Sequence, residues 1–235
     1  MENKLLVEKY SPRVFSDLTY NESVTKHLEK ISTKTNFSHL IFYGPDGAGK
    51  KTRIKLLLQH IFDHNVHKLK IETKEMKVNS TNVQYTIASS NYHIELTPSD
   101  NGIHDRHIVN YVIKETASIG NINRKDNKFN KIIVIHEADN LSRDAQSSLR
   151  RTMEKYVGNC RIIMSCNQLS KILAPIRSRC LTIRIASPTE NDMLQCLSHI
   201  RNEEKLKISD LQIQKIISES KRNLRTAIFQ LQLSK

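Results

Sequence analysis

The 235-residue sequence has no tryptophan, and only six glycines, five prolines and four cysteines. Cys160, Cys166, Cys180 and Cys196 show no Cys-x-x-Cys pairing. That argues against a structural zinc site and makes reduced thiols in an intracellular protein the default. No apolar run approaches the roughly 18 residues that a membrane-crossing helix needs. The opening Met-Glu-Asn-Lys-Leu-Leu lacks the hydrophobic stretch of a secretory signal. Negative charge is scarce as well: 24 Asp and Glu face 37 Lys and Arg, leaving a net +13. Such a surplus suggests an anionic partner, nucleic acid sooner than membrane, because no basic amphipathic anchor is present. Composition alone leaves a merely soluble basic protein equally open. The length suits one large domain, or one large and one small.

The few glycines are concentrated. Gly44, Pro45, Asp46, Gly47, Ala48, Gly49, Lys50, Lys51 and Thr52 follow the apolar run Leu40-Ile-Phe-Tyr43 and precede Arg53-Ile-Lys-Leu-Leu-Leu58. Strand, glycine loop and helix together make Gly-x-x-x-x-Gly-Lys a phosphate cradle. Its backbone N–H groups face an anion, the helix N-terminus adds a positive dipole end, and Lys50 places an ammonium among the phosphates. The next position ordinarily carries a Ser or Thr that ligates Mg²⁺. Here it is Lys51, which has donors but no lone pair. Thr52 lies about 100° further round the helix and is a poor substitute.

Along the chain, Pro12 and Asp17 break any long helix in residues 1–20, and Asn21 is an N-cap candidate for a helix over Glu22–Ser32. The P-loop helix is expected to run from Lys50 to about His64. His67–Glu72 and Thr81–Ala88 read as a hairpin around a polar Lys74–Asn82, and Tyr92–Leu96 as a core strand. After a turn at Pro98–Gly102, Asp105–Ser118 has helical periodicity, and Gly120–Asn130 reads as a loop. Lys131–Ile135, Arg161–Met164 and Cys180–Ile185 read as strands, with a helix from Leu141 to Tyr156 between the first two. Alternating strands and helices predict an α/β fold, a parallel sheet with helices on both faces, over residues 1–186. Beyond Ser187-Pro188, three amphipathic segments predict a small helical lid over residues 187–235.

A second nucleotide motif is Ile132-Ile-Val-Ile-His-Glu-Ala-Asp139. A hydrophobic strand ending in Asp-Glu is the Walker B pattern, whose Asp holds Mg²⁺ and whose Glu polarises water. His136 occupies the Asp position, and the favoured reading is a hydrogen-bonded histidine rather than a ligand. Glu137 remains. Asn167, after the next strand, is placed to orient a water beside the terminal phosphate.

These motifs, with Ser178-Arg-Cys180 and Asn223-Leu-Arg225, resemble the AAA+ clamp-loader subunits in order and spacing. Leu149-Arg-Arg-Thr-Met-Glu154 and Ile176-Arg-Ser-Arg-Cys180 resemble the replication factor C small subunits specifically. Lys50-Lys51-Thr52 and Ser90–Asp100 are similar to one paralogue group among them. The resemblance covers about residues 5 to 232. It implies an AAA+ P-loop core with a three-helix lid, in a hetero-pentamer of replication factor C subunits. Such assemblies use ATP to load a sliding clamp of the proliferating cell nuclear antigen type onto primer–template DNA in the nucleus.

Residue by residue, Val7, Tyr10 and Arg13 match the box that closes over adenine, Asn167 matches sensor 1, and Arg225 matches sensor 2. Arg179 matches the arginine finger that acts on a neighbouring subunit's ATP; without its context it would read as a surface charge. Arg150 and Arg151 match the helix that tracks DNA phosphates, although Arg151 could instead pair with Glu154 at i,i+3. The resemblance places the Asp105–Ser118 helix toward the clamp. Two departures stand out. Lys51 and His136 remove both protein groups expected on Mg²⁺, so ATP or ADP is expected to be held with the ion in question and own-site hydrolysis weak or absent. The chain also ends before the family's C-terminal collar. An autonomous P-loop ATPase and a structural subunit with a vestigial site are the competing readings.

Overall fold

Period-two alternation within short apolar strands organises the molecule. The computed structural model describes residues 4–33, 37–62, 66, 68–78, 81–118, 131–158 and 160–234. Strands β1 (His39–Tyr43), β2 (Lys70–Val78), β3 (Thr81–Ser89), β4 (His93–Leu96), β5 (Ile132–Ile135), β6 (Arg161–Cys166) and β7 (Cys180–Arg184) make one sheet. Its order is β2-β3-β4-β5-β6-β1-β7. Pairing is parallel from β4 to β7, and antiparallel for β2–β3 and β3–β4.

Helices among the described residues are α1 (Leu6–Lys9), α2 (Glu22–Ser32), α3 (Lys50–Phe62), α4 (Asp105–Ser118) and α5 (Arg143–Lys155). They continue with α6 (Ala174–Arg177), α7 (Glu190–Glu204), α8 (Asp210–Glu219) and α9 (Leu224–Leu233). Successive strand residues point to opposite faces, so β5 feeds two cores. Ile133 and Ile135 join Ile108, Val112 and Leu149 of α4 and α5. Ile132 and Val134 join Leu28, Leu57 and Ile61 of α2 and α3. The parallel α/β sheet expected from the sequence is present, with an antiparallel hairpin added at one edge.

That hairpin corrects the expected polar connection over Lys74–Asn82. Strand β2 continues to Val78, with Lys74 opposite Tyr85. Charged side chains sit in it because the two on the inward face are compensated: Lys74 Nζ donates to Glu115 of α4 at 2.9 Å, and Glu72 pairs with Lys70 at 2.8 Å. His67, the end of the P-loop helix near His64, and the Gly120–Asn130 loop lie outside the described residues.

Ser142, Thr189, Ser209 and Asn223 cap α5, α7, α8 and α9 by accepting a backbone N–H in the first turn. Asn21 does not act this way. It adopts φ 58° ahead of α2 and makes no side-chain cap; its Nδ2 donates instead to Ala186 O at 3.0 Å. Helices α7–α9 form a third core around Met193, Leu197, Ile213, Ala227 and Leu231, and Leu6 of α1 packs into it. Leu6 N–H donates to Gln232 Oε1 at 3.0 Å, and Tyr10 Oη to Glu204 Oε1 at 2.9 Å. The N-terminal segment is therefore moored to the C-terminal helices, roofing a space above the P-loop.

Candidate nucleotide-binding site

Strand register assembles the site. Tyr43 lies opposite Cys166, so Gly44 and Asn167 leave β1 and β6 side by side, and Gly44 N–H donates to Cys166 O at 3.3 Å. Ile135 lies opposite Met164, which brings His136 and Glu137 alongside Ser165. The site thus lies off the carboxyl ends of β1, β5 and β6, the usual crevice for ligands in open α/β sheets.

A narrow cleft of about 90 Å³ is lined by Asp46, Gly47, Gly49, Lys50, Lys51, Glu137, Ser165, Cys166, Asn167 and Arg225. Lys50 Nζ donates to Gly44 O (2.7 Å), Pro45 O (2.8 Å) and Asn167 Oδ1 (2.7 Å). Burial pushes its pKa down and Arg225 adds to that, while Asp46, Cys166 and Asp139 act in the opposite sense. Glu137 sits in the left-handed region at φ 53°, and its Oε2 accepts from Asn140 Nδ2 at 3.2 Å. A non-glycine residue in that region costs on the order of 1 kcal/mol, a strain that concentrates at functional sites.

Next to the cleft lies a larger pocket of about 460 Å³, bordered by Val7, Tyr10, Arg13, Tyr20, Gly47, Gly49, Thr52 and Arg53. Gln195, His199, Leu224 and Arg225 close it from α7 and α9. Arg225 borders both spaces, whereas Lys51 faces only the cleft and Thr52 only the larger pocket. Gly47, at φ 71°, touches the lid: a Cβ there would come within 1.8 Å of Asn223 Oδ1. Ala48 is fully buried, and its carbonyl accepts from Tyr20 Oη at 2.9 Å.

His136 is turned away from the cleft. Its Nε2 donates to Glu95 Oε2 at 3.1 Å, and its Nδ1 lies 3.2 Å from Ser165 Oγ. His93 Nε2 contacts the other Glu95 oxygen at 3.3 Å. Burial alone would raise the Glu95 pKa; hydrogen bonds from His136 and His93 outweigh it and hold the carboxyl well below the usual carboxylate range. Among the described residues, no group of three or more His, Cys, Asp or Glu side chains is placed to hold a metal ion.

Three predicted site residues stand apart from both spaces. Arg179, between α6 and β7, is ion-paired to Glu154 at 2.6 Å and donates to Pro175 O at 2.8 Å. Glu154 is thereby taken up by Arg179, not by Arg151 as an i,i+3 pair would have it. Arg151 is exposed on α5 and Arg150 half-buried, so the two adjacent arginines point in different directions.

Sequence reasoning missed four residues. Asp139 Oδ2 accepts the N–H groups of Asn167 and Gln168, each at 3.1 Å, tying the β5 turn to the β6 turn. The motif contained it without showing this role. Glu95, Tyr20 and Arg53 carry no local signal, because each is placed by a partner tens of residues away: His136 for Glu95, Ala48 for Tyr20 and Tyr20 for Arg53.

Comparison with known proteins follows the same lines. Residues 20–189 match the family described as DNA polymerase III, delta subunit. Residues 195–233 match the RCF1/5-like, AAA+ ATPase lid domain. The chain is 41% identical over 228 residues to replication factor C subunit 5 of Oryza sativa subsp. japonica, covering 95% of this chain and 64% of the relative. It is 40% identical to replication factor C subunit 3 of Arabidopsis thaliana, covering 97% and 66%. It is 39% identical to replication factor C subunit 5 of Saccharomyces cerevisiae, covering 97% and 67%. The chain therefore spans about two-thirds of the length of these relatives. Among solved structures, a Thermotoga maritima RuvB variant superposes with TM-score 0.66 at 14% identity, over 95% of this chain and 64% of that one, a likeness of fold alone.

Proposed function

We propose a function from the premise that this chain belongs to the replication factor C family of AAA+ clamp-loader subunits. It binds ATP or ADP between a P-loop core of residues 1–186 and a lid of residues 187–235, as a working part of a multi-subunit loader in DNA replication. The base occupies the larger pocket beside Val7, Tyr10 and Arg13, and the phosphates occupy the cleft beside Lys50, Asn167 and Arg225. The observation that carries this reading is Lys50, whose ammonium bonds the loop's own carbonyls and Asn167 at the head of the cleft. Those acceptors hold the charge in place where an incoming phosphate would take it.

The donor set does not fit Mg²⁺. Lys51 carries a cation where a hydroxyl ligand would be needed, and His136 spends both ring nitrogens on Glu95 and Ser165. This supports retention of nucleotide with weak or absent hydrolysis in the chain's own site. Its chemical contribution is then Arg179, offered to ATP on a neighbouring subunit after release from Glu154. Arg150 and Arg151 on α5 contact the DNA backbone, and α4 with the turn before it faces the sliding clamp. A nuclear address follows from the replication role.

The test is nucleotide content and turnover, for the chain alone and for the assembled complex carrying Arg179→Ala. The chain alone is expected to hold ADP or ATP without turnover, and Arg179→Ala to lower turnover of the complex without lowering nucleotide content. Turnover by the isolated chain that Lys50→Ala abolishes would instead establish an autonomous ATPase. A chain that takes up no nucleotide would establish a vestigial site.

A further inference from the structure

Arg53 is fully buried, in the first turns of α3. Its Nη2 donates to Tyr20 O at 2.8 Å and its Nη1 to Ala48 O at 3.3 Å, with the guanidinium 4.5 Å from the Tyr20 ring centroid. Nε has no partner, and no described carboxylate lies within ion-pair distance of the group. An arginine cannot shed its proton to escape such a site, and a buried cation is costly without a counter-charge. Arg53 borders the larger pocket with Tyr20, Gly49 and Thr52, and its link to the cleft is Gly49, which lines both.

A second feature sits on the same atoms. Tyr20 Oη and Arg53 Nη1 both donate to the carbonyl of Ala48, inside the P-loop. In a planar trans peptide the C=O and the following N–H point in opposite directions. Drawing the Ala48 carbonyl inward therefore turns the Gly49 N–H outward. The fit is close: a Cβ on Gly49 would come within 2.7 Å of Tyr20 Oη and 2.9 Å of Arg53 Nη1.

We propose that Arg53 is a positioning residue of the nucleotide site with two roles: a strut that, with Tyr20, aims the P-loop amides, and a permanent counter-cation set behind Gly49, a loop residue common to the base pocket and the phosphate cleft. This rests on the reading of the cleft and pocket as a nucleotide site. It makes an unusual prediction, because removing Arg53 has opposite effects on fold and ligand. An arginine that merely supported the fold would lower the melting temperature when replaced and leave affinity alone.

ADP is titrated calorimetrically into the nucleotide-stripped chain in EDTA, with melting temperatures taken with and without ADP, for wild type, Arg53→Met, Tyr20→Phe and Lys50→Ala. Arg53→Met is expected to melt no lower than wild type without ADP, yet to bind ADP about tenfold more weakly or worse. Tyr20→Phe is expected to weaken binding by a smaller factor through the strut alone. An Arg53→Met chain that binds ADP within about twofold of wild type overturns the proposal. One that fails to fold, or melts lower without ADP, overturns the counter-cation role, and the strut then stands or falls with Tyr20→Phe. If wild type itself binds no ADP, the nucleotide reading fails and this inference falls with it; wild-type binding lost in Lys50→Ala but kept in Arg53→Met sinks the inference alone.

Discussion

His39 opens β1 and is buried, with its Nδ1 accepting the Ile162 N–H at 3.0 Å. Burial, assisted by the nearby Arg161 cation, lowers its pKa from 6.5 to about 4. The fold therefore holds the neutral ring. Above pH 6.5 neither state binds the proton; as pH falls toward 4 the unfolded chain takes it up and the folded chain does not, so stability drops. The loss reaches at most about 3 kcal/mol. Melting temperatures at pH 7 and pH 5 should show this decline, and His39→Leu should flatten it. Gly47 makes a different prediction. At φ 71° and against Asn223, Gly47→Ala is strained by backbone and neighbour alike. It should weaken ADP binding about tenfold or more while circular dichroism stays native, since the cost falls on the loop and the α9 cap.

At the scale of elements, α5 links several parts of the molecule. Its N-cap Ser142 donates through backbone N–H and Oγ to the two oxygens of buried Asp105, at 2.7 and 2.9 Å, which joins α5 to the start of α4. Its own Oγ accepts from Ala145 N–H. Ser142→Ala removes a cap and one of the two donors to Asp105 Oδ1, leaving it the Arg106 N–H, and should cost roughly 1–2 kcal/mol in urea unfolding. Three residues of this helix matter to the proposed function: Arg150, Arg151 and the Glu154 that holds Arg179. The proposed DNA contact and the proposed finger posture would thus meet on one element.

Across the whole molecule, the lid core is completed by the other end of the chain. Leu6 is buried among Met193, Leu197 and Leu231, and Tyr10 reaches Glu204. Deleting residues 1–10 should open one wall of the larger pocket and leave the sheet's two cores intact. The expected result is weaker ADP binding, read by calorimetry, with near-native unfolding of the α/β core; an unaltered affinity would place the base elsewhere. The same closure explains why Arg225 borders both spaces: α9 is pressed onto the P-loop through Asn223 and Gly47.

What the sequence determined by itself was local. The P-loop, the buried strands, the amphipathic lid helices and the presence of Lys51 and His136 within the two nucleotide motifs follow from glycine spacing, periodicity and side-chain chemistry within a few residues. The limits of β2 were misplaced because an inward Lys74 is acceptable only beside Glu115, which periodicity cannot see. Tertiary structure alone decided where His136 turns, what Asp139 and Glu154 hold, how residues 6–10 dock, and that Arg53, on paper one more charge on a basic helix, is fully buried. Each depends on partners that lie tens of residues or more away along the chain. Short-range patterns constrain the backbone, but the pairing of a buried polar group is settled only when strand register and helix packing bring its partner within hydrogen-bonding reach.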